Sequence, residues 1–366
     1  MSDLSIPQEH VAEAPATPLA ALLAHSPAPP ELAPYRGAQT PLRLDAEARE
    51  TAALLAGVAA HDLGWMRRVA VRGEDRFRWL SGMVTNTVND LAVNAGAWNF
   101  VLNAQGRIQG DLHVWREGDE LFLTIAADQY DRLLAHLERF IIMDDVELVP
   151  LGDDAALGLA GPLAAELLTQ LGLTVPVEPM TGASAKWKDN AIKVVQGYGA
   201  LTPHFELWLN AAQIPALWQA LTEAGATQVG AASIEALRIA EAIPAYGIDI
   251  AERDLPQEIS PMRGLSFNKG CYLGQEIVER IRSRGGVHRH LRSLELFGTL
   301  PARGTALTLE GGADAGQITS AAELPLPDGR RIFALAMLRA EAETGNQSFS
   351  YTSGTARILA APPKLQ

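Results

Sequence analysis

The chain of 366 residues is poor in cysteine, in aromatics and in long apolar runs. Its only cysteine, Cys271, excludes an internal disulfide and any zinc or iron–sulfur centre built from several cysteines of one chain. A reducing compartment fits that usage. No apolar stretch approaches the roughly 18–20 residues of a membrane span, Ala52 to Ala60 being the richest, so no membrane partner is expected. The N-terminus carries no Lys or Arg before Arg36 and has prolines at 7, 15 and 18, unlike the charged and apolar regions of a secretory signal. The expected location is cytoplasmic.

Positive charge is also scarce. Thirty Lys and Arg against 43 Asp and Glu leave a net charge of −13, which opposes direct nucleic-acid binding and anionic membranes. Equally absent are a GxxxxGK[ST] phosphate loop, a GxGxxG fingerprint after a strand, a GxSxG elbow and an HExxH helix. Nucleotide hydrolysis, Rossmann hydride transfer and serine hydrolysis lose their usual marks.

What is present is a globular composition, 48% hydrophobic and 20% charged, long enough for two or three domains. The Pro/Ala-rich segment 1–40 should resist continuous helix and sheet and be partly mobile. Beyond it, periodicity predicts helix over Ala46–Ala60, a strand over Arg68–Arg72, and a helix from Asp75 through Met83. Strands follow at Gly96–Asn103, Gly110–Arg116 and Glu120–Ala126, then a helix capped by Asp128. A similar cycle follows: helix Pro162–Leu171, strands Ala191–Gln196 and His204–Leu209, helices Ile214–Ala224 and Ser233–Ala242. After Leu291, short alternating segments separated by Gly, Pro and Asp predict a small barrel.

One stretch stands apart: Lys269-Gly270-Cys271-Tyr272-Leu273-Gly274-Gln275-Glu276, running into a helix that ends at Gly285-Gly286. A thiolate just before a helix N-terminus and beside Lys269 is expected to have a lowered pKa and so to act as nucleophile, redox group or metal ligand. The alternative is a small buried hydrophobe. Gly270 and Gly274 imply backbone geometry that larger residues obstruct, and Gln275 and Glu276 place polar groups at the helix start. Between 269 and 292 six Lys or Arg stand against Glu276 and Glu279, a local reversal of sign that implies an anionic ligand or partner. The run holds Arg280, Arg282, Arg284, Arg289 and Arg292, with His288 and His290; His288-x-His290 alone is no metal site.

The KGCYLGQE segment resembles the signature of the YgfZ-type branch of the glycine-cleavage T-protein (aminomethyltransferase) superfamily. Val71-Arg-Gly-Glu-Asp75, Met83-Val-Thr-Asn86, Leu102 to Ile108 with Asp111-Leu112, Leu237-Arg-Ile239, Ile243 to Asp249 and Gly316 to Ser320 extend the likeness over nearly the whole chain. The resemblance implies an α+β ring of three domains: a first α+β folate-binding domain at 41–150, a second at 151–290 ending in KGCYLGQE, and a C-terminal β-barrel at 291–366. It implies tetrahydrofolate as cofactor, and a folate-dependent role in iron–sulfur cluster assembly or repair that supports client proteins, including tRNA-modifying enzymes. The alternatives are a one-carbon (aminomethyl or N-methyl) transferase to tetrahydrofolate and a non-catalytic folate-binding scaffold.

Carried over by position, Asp111 is the carboxylate for the pterin and the reacting nitrogen, while Met83, Arg238 and Tyr246 fall where the superfamily lines its folate pocket. Cys271 and Lys269 take the catalytic place of the signature. Arg238 equally suits a structural ion pair. Departures are expected to weaken folate binding or transfer: Gly110-Asp111 replaces paired aspartates, Ile125-Ala126-Ala127 replaces V-N-A, and Gly197 to His204 lacks the pterin-binding glutamate of the transferases. The basic run after Cys271 is expected to meet the glutamate carboxylates of folate.

Overall fold

The computed structural model describes residues 14–259, 262–343 and 348–365. Two sheets, the first antiparallel and the second antiparallel but for a parallel edge strand, and a closed barrel carry the chain. The first sheet orders its strands Gly96–Leu102, Ile108–Glu117, Glu120–Ala126, Met66–Arg72 and Glu147–Pro150. Alternation explains its two faces: Leu112, Val114, Leu121 and Leu123 pack under helices Arg76–Met83 and Tyr130–Glu138, while Trp115 and Phe122 point the other way. That second face meets Ala156, Val195 and Trp208 of the second sheet.

The second sheet runs Thr181–Trp187, Asn190–Gln196, His204–Asn210, Asp154–Ala160, Ala59–Asp62 and Thr227–Val229. Its fifth strand comes from upstream of the first sheet, so the two layers are interleaved in sequence. Phe205, Leu207 and Leu209 face helix Ile214–Glu223 in one core. The barrel closes through Arg289–Gly298, Gly329–Arg339, Asp314–Leu326, Ala306–Thr308, Ser348–Tyr351 and Gly354–Ile358, as the alternation after Leu291 predicted. Helix Ala231–Ala240 lies between sheet and barrel, packing Ile239 against Phe333. Among the described residues, no helix is long and apolar enough to cross a membrane.

Several elements differ from expectation. The Pro/Ala-rich segment forms a helix, Pro18–Leu23, and a hairpin of Leu32–Tyr35 with Ala38–Pro41; residues 1–13 lie outside the described residues. Proline is harmless at the first helical position because its missing N–H had no partner there, and Thr17 caps the turn by accepting from the Ala20 N–H at 3.0 Å. Burial of Leu19 in the second core holds the short helix in place. The helix expected over Ala46–Ala60 stops at Ala56, where Gly57 ends it and frees Ala59–Asp62 to join the sheet. Asp128 is not a cap; its carboxylate takes the Arg36 guanidinium at 3.0 Å, and the helix begins two residues later.

Candidate functional site

A cavity of about 390 Å³ opens between the two sheets. Strand alternation builds its walls. Asp111, His113 and Trp115 share one face of Ile108–Glu117, opposite the buried Leu112 and Val114; His204, Glu206 and Trp208 share the corresponding face of the facing strand.

The Asp111 carboxylate is fixed at both oxygens. Trp98 Nε1 donates to Oδ2 at 2.8 Å and Gln129 Nε2 to Oδ1 at 2.7 Å, while the Asp111 N–H returns a bond to Gln129 Oε1 at 3.0 Å. Each oxygen retains further acceptor capacity toward the cavity. Glu206 also lines it, with one oxygen taken by Trp208 Nε1 at 2.7 Å; burial raises its pKa against the opposing pull of that N–H. Sequence reasoning missed Glu206, although the alternation of His204 to Leu209 signals it.

The histidines divide by partner. Burial pulls His61 down to about 3 and His113 down to about 4, leaving both neutral near pH 7. For His204 burial also favours the neutral ring, but Glu241 at 2.9 Å overcomes it and the pKa is raised. Among the described residues no cluster of His, Cys, Asp and Glu is arranged to hold a metal ion.

Arg238 lines the cavity, yet its guanidinium is committed. It donates to both Glu235 oxygens, to Asp249 Oδ2 at 2.7 Å and to the Ile243 carbonyl. Asp249 in turn accepts from Thr319 and Ser320 of the barrel. This is the structural ion pair that the sequence left open. Met83 and Tyr246 are not part of the cavity wall: Met83 packs on the first core, and Tyr246 is buried in the cluster between hairpin and barrel with Arg132 over its ring at 5.1 Å. Instead Arg36, Asn86, Tyr198 and Arg263 line it; Asn86 closes the Met83-Val-Thr-Asn86 segment and Tyr198 falls in the Gly197 to His204 stretch, whereas no motif marks Arg36 or Arg263.

The KGCYLGQE segment lies outside the cavity wall. Lys269 does not stand free beside the thiol: its ammonium donates to the carbonyls of Ser81, Val84 and Asn86 at 2.7–2.8 Å, closing the C-terminus of helix Arg76–Met83. Burial lowers its pKa to about 8. Cys271 is exposed, which excludes the buried-hydrophobe alternative. Tyr272 is buried below it, its hydroxyl without a hydrogen-bond partner among the described residues and pushed up to about 12 chiefly by burial, and Lys269 Nζ lies 5.3 Å from its ring centroid. Gln275 accepts from the Tyr272 N–H at 3.3 Å, and Glu276 is exposed in the first turn of helix Gln275–Arg284.

Gly274 and Gly270 differ in kind. Gly274 has φ +80°, and a Cβ there would meet the Asn103 carbonyl at 2.6 Å, so the loop seats on the hairpin turn through bare backbone. Gly270 faces open space. The basic run also needs correction. Arg289 pairs with Asp254 and Glu258, and Arg292 and His290 with Glu343; none of the run reaches the cavity. Local carboxylates take Arg289, Arg292 and Arg282, the last through Glu279 at 3.6 Å, whereas Arg280 and Arg284 have no carboxylate within ion-pair distance among the described residues.

Two facing α+β sheet layers, a closed six-stranded barrel and a carboxylate-bearing cavity define the class of protein: the glycine-cleavage T-protein fold. The crystal structure of the glycine cleavage system aminomethyltransferase T from Bartonella henselae superposes with a TM-score of 0.86 at 21% identity, covering 96% of this chain and 98% of that one. Residues 32–269 match the GCVT N-terminal domain, and the chain therefore belongs to the aminomethyltransferase (glycine-cleavage T-protein) superfamily. An aminomethyltransferase of Rubrobacter xylanophilus is 28% identical over 86% of this chain and 85% of its own length. The tRNA-modifying protein YgfZ of Cronobacter sakazakii is 28% identical over 75% and 83%. A putative chloroplastic transferase of Arabidopsis thaliana is 26% identical over 72% of this chain, which spans 62% of that protein's length.

Proposed function

We propose that the protein binds tetrahydrofolate in the cavity between its sheets and serves, as a YgfZ-type member of its superfamily, in the assembly or repair of iron–sulfur proteins. The observation that carries the folate reading is the presence of Asp111 and Glu206 at cavity-lining positions of strands in the two sheets. A pterin presents an amide N–H and an amino group along one edge, and two half-buried carboxylates with spare acceptor capacity match it. The cavity of about 390 Å³, walled by Trp65, Trp98 and Trp115, falls within the range of roughly 300–1,000 Å³ for small-molecule sites. Bound tetrahydrofolate supplies a nitrogen that carries one-carbon units; Asp111, held by Trp98 and Gln129, orients the ring and holds its proton acceptors toward it.

The iron–sulfur role rests on the exposed Cys271 in the KGCYLGQE segment, clamped to the first sheet's helix through Lys269. A single thiol cannot enclose a cluster, so a client or assembly protein completes any such contact. The proposed setting is a reducing compartment, the cytoplasm, a reading the lone cysteine supports.

Anaerobic calorimetric titration with tetrahydrofolate, 5-formyltetrahydrofolate and folic acid tests the first half. Micromolar or tighter binding that Asp111→Asn weakens about 10- to 100-fold is expected; no binding to any of the three sinks it. Cys271→Ser is expected to abolish support of iron–sulfur enzymes in cells while leaving folate affinity intact, and unchanged support removes the thiol from the function. A second reading, one-carbon transfer from an aminomethyl donor, is favoured by the aminomethyltransferase relatives. It requires folate-dependent turnover that Asp111→Asn abolishes. Function untouched by both substitutions leaves a folate-binding scaffold.

A further inference from the structure

The cavity holds three guanidinium groups, and they are not equivalent. Arg36 is paired with Asp128, and Arg238 with Glu235 and Asp249. Arg263 has no carboxylate within ion-pair distance among the described residues; it lies over the Tyr198 ring, 3.1 Å from the centroid. Glu241 acts on it only at a distance and is occupied by His204 and by the N–H groups of Leu201 and Thr202. Burial lowers the Arg263 pKa, but a guanidinium does not release its proton in the physiological range, so the charge stays. A partly buried cation without a counter-charge is unfavourable unless something supplies the anion.

Its position says where that anion sits. Tyr198, which carries the stacked guanidinium, is 37% exposed, so the pair marks the open rim of the cavity, whereas Asp111 and Glu206 line the strands within. The cavity thus has an acceptor wall and a cationic rim.

We infer that Arg263 is the specificity residue of the cavity, taking a carboxylate on the tail of the bound ligand and selecting pterins with an anionic tail over pterins that lack one. A planar guanidinium already ordered on an aromatic ring is preorganised for a carboxylate. The inference rests on the folate reading and moves the tail contact from the basic run after Cys271, which does not line the cavity, to Arg263, which does.

Titration of the full chain with two probes separates the two ideas: 5-formyltetrahydrofolate, with tail carboxylates, and 6-methyltetrahydropterin, without them. Wild type is expected to prefer the first by about 10- to 100-fold, and Arg263→Met to erase that margin while changing the methylpterin by less than about two-fold. Arg263→Lys, which keeps the charge without the flat fork, is expected to keep part of it. Thermal melting of Arg263→Met at or above the wild-type temperature is expected, since an uncompensated charge is removed. Arg263→Met and Arg263→Lys that weaken both probes alike, or neither, overturn the inference and leave the folate reading standing. Wild type that binds neither probe overturns the folate reading and the inference with it.

Discussion

The Lys269 ammonium donates to the Val84 carbonyl at 2.7 Å, and so ties the KGCYLGQE segment to the end of the first sheet's helix. The same nitrogen bonds the Ser81 and Asn86 carbonyls, which satisfies carbonyls that a helix end leaves open. Asn86 lines the cavity, so one side chain joins the exposed thiol loop to the cavity wall. Lys269→Met removes three charge-assisted bonds and leaves their acceptors unpaired, with an expected loss of about 2–4 kcal/mol in urea unfolding. A loss well under about 1 kcal/mol would show that water replaces the ammonium there.

Within the same segment, two glycines make a controlled comparison. Gly274→Ala forces a Cβ onto the Asn103 carbonyl at 2.6 Å in a backbone with φ +80°, and is expected to destabilise by about 2–4 kcal/mol. Gly270→Ala meets nothing within 4 Å and is expected to stay within about 0.5 kcal/mol of wild type. Denaturant midpoints of the two variants check the contrast; equal losses would mean that the loop does not seat on the hairpin turn.

Arg238 is expected to be a fold residue. Its removal leaves Asp249, which has no exposed side-chain surface, and Glu235 without their cation. Arg238→Met should lose about 3–5 kcal/mol, because a buried charge stripped of its partner is far less favourable than the intact pair. Adding Asp249→Asn should recover part of the loss, measured as the coupling in a double-mutant cycle. Failure to recover anything would show that Arg238 acts through Glu235 or packing alone.

Much of this fold was readable along the chain because local alternation and caps carry it. The barrel strands, the hairpin Gly96–Leu102 with Ile108–Glu117, and the helix Gln275–Arg284 follow from period and punctuation. Partners distant in sequence were not readable. Lys269 looked like a neighbour for Cys271 because the sequence sets them two apart, whereas its acceptors lie 183–188 positions earlier. Arg289 and Arg292 looked unpaired because Asp254, Glu258 and Glu343 sit on other segments. Strand Asp154–Ala160, mostly Ala, Gly and Leu, carries no β-branched residue to announce it. Glu206 was hidden in a stretch compared by motif, although the alternation of His204, Glu206 and Trp208 with Phe205, Leu207 and Leu209 separates a polar face from a core face.

Asp62 supplies a pH dependence whose sign is set by burial. The carboxyl sits at the end of a second-sheet strand, accepting from the Thr17 hydroxyl and from the Gly64 N–H at 2.8 Å. Burial raises its pKa to about 6 from an ordinary 3.8, against the pull of both bonds. Between those values the folded state binds more protons than the unfolded one, so stability from this group is complete below about pH 4 and is lost as pH rises through about 6. His61 next to it titrates with the opposite sign, its neutral folded form losing stability as pH falls below the ordinary histidine range. The informative quantity is therefore the difference between wild type and Asp62→Asn, which keeps a neutral acceptor for Gly64. Relative to wild type, the variant is expected to gain on the order of 2 kcal/mol between about pH 4 and pH 7. Urea unfolding of both proteins across that range checks it, and parallel curves would mean that water reaches Asp62 and keeps its carboxyl ordinary.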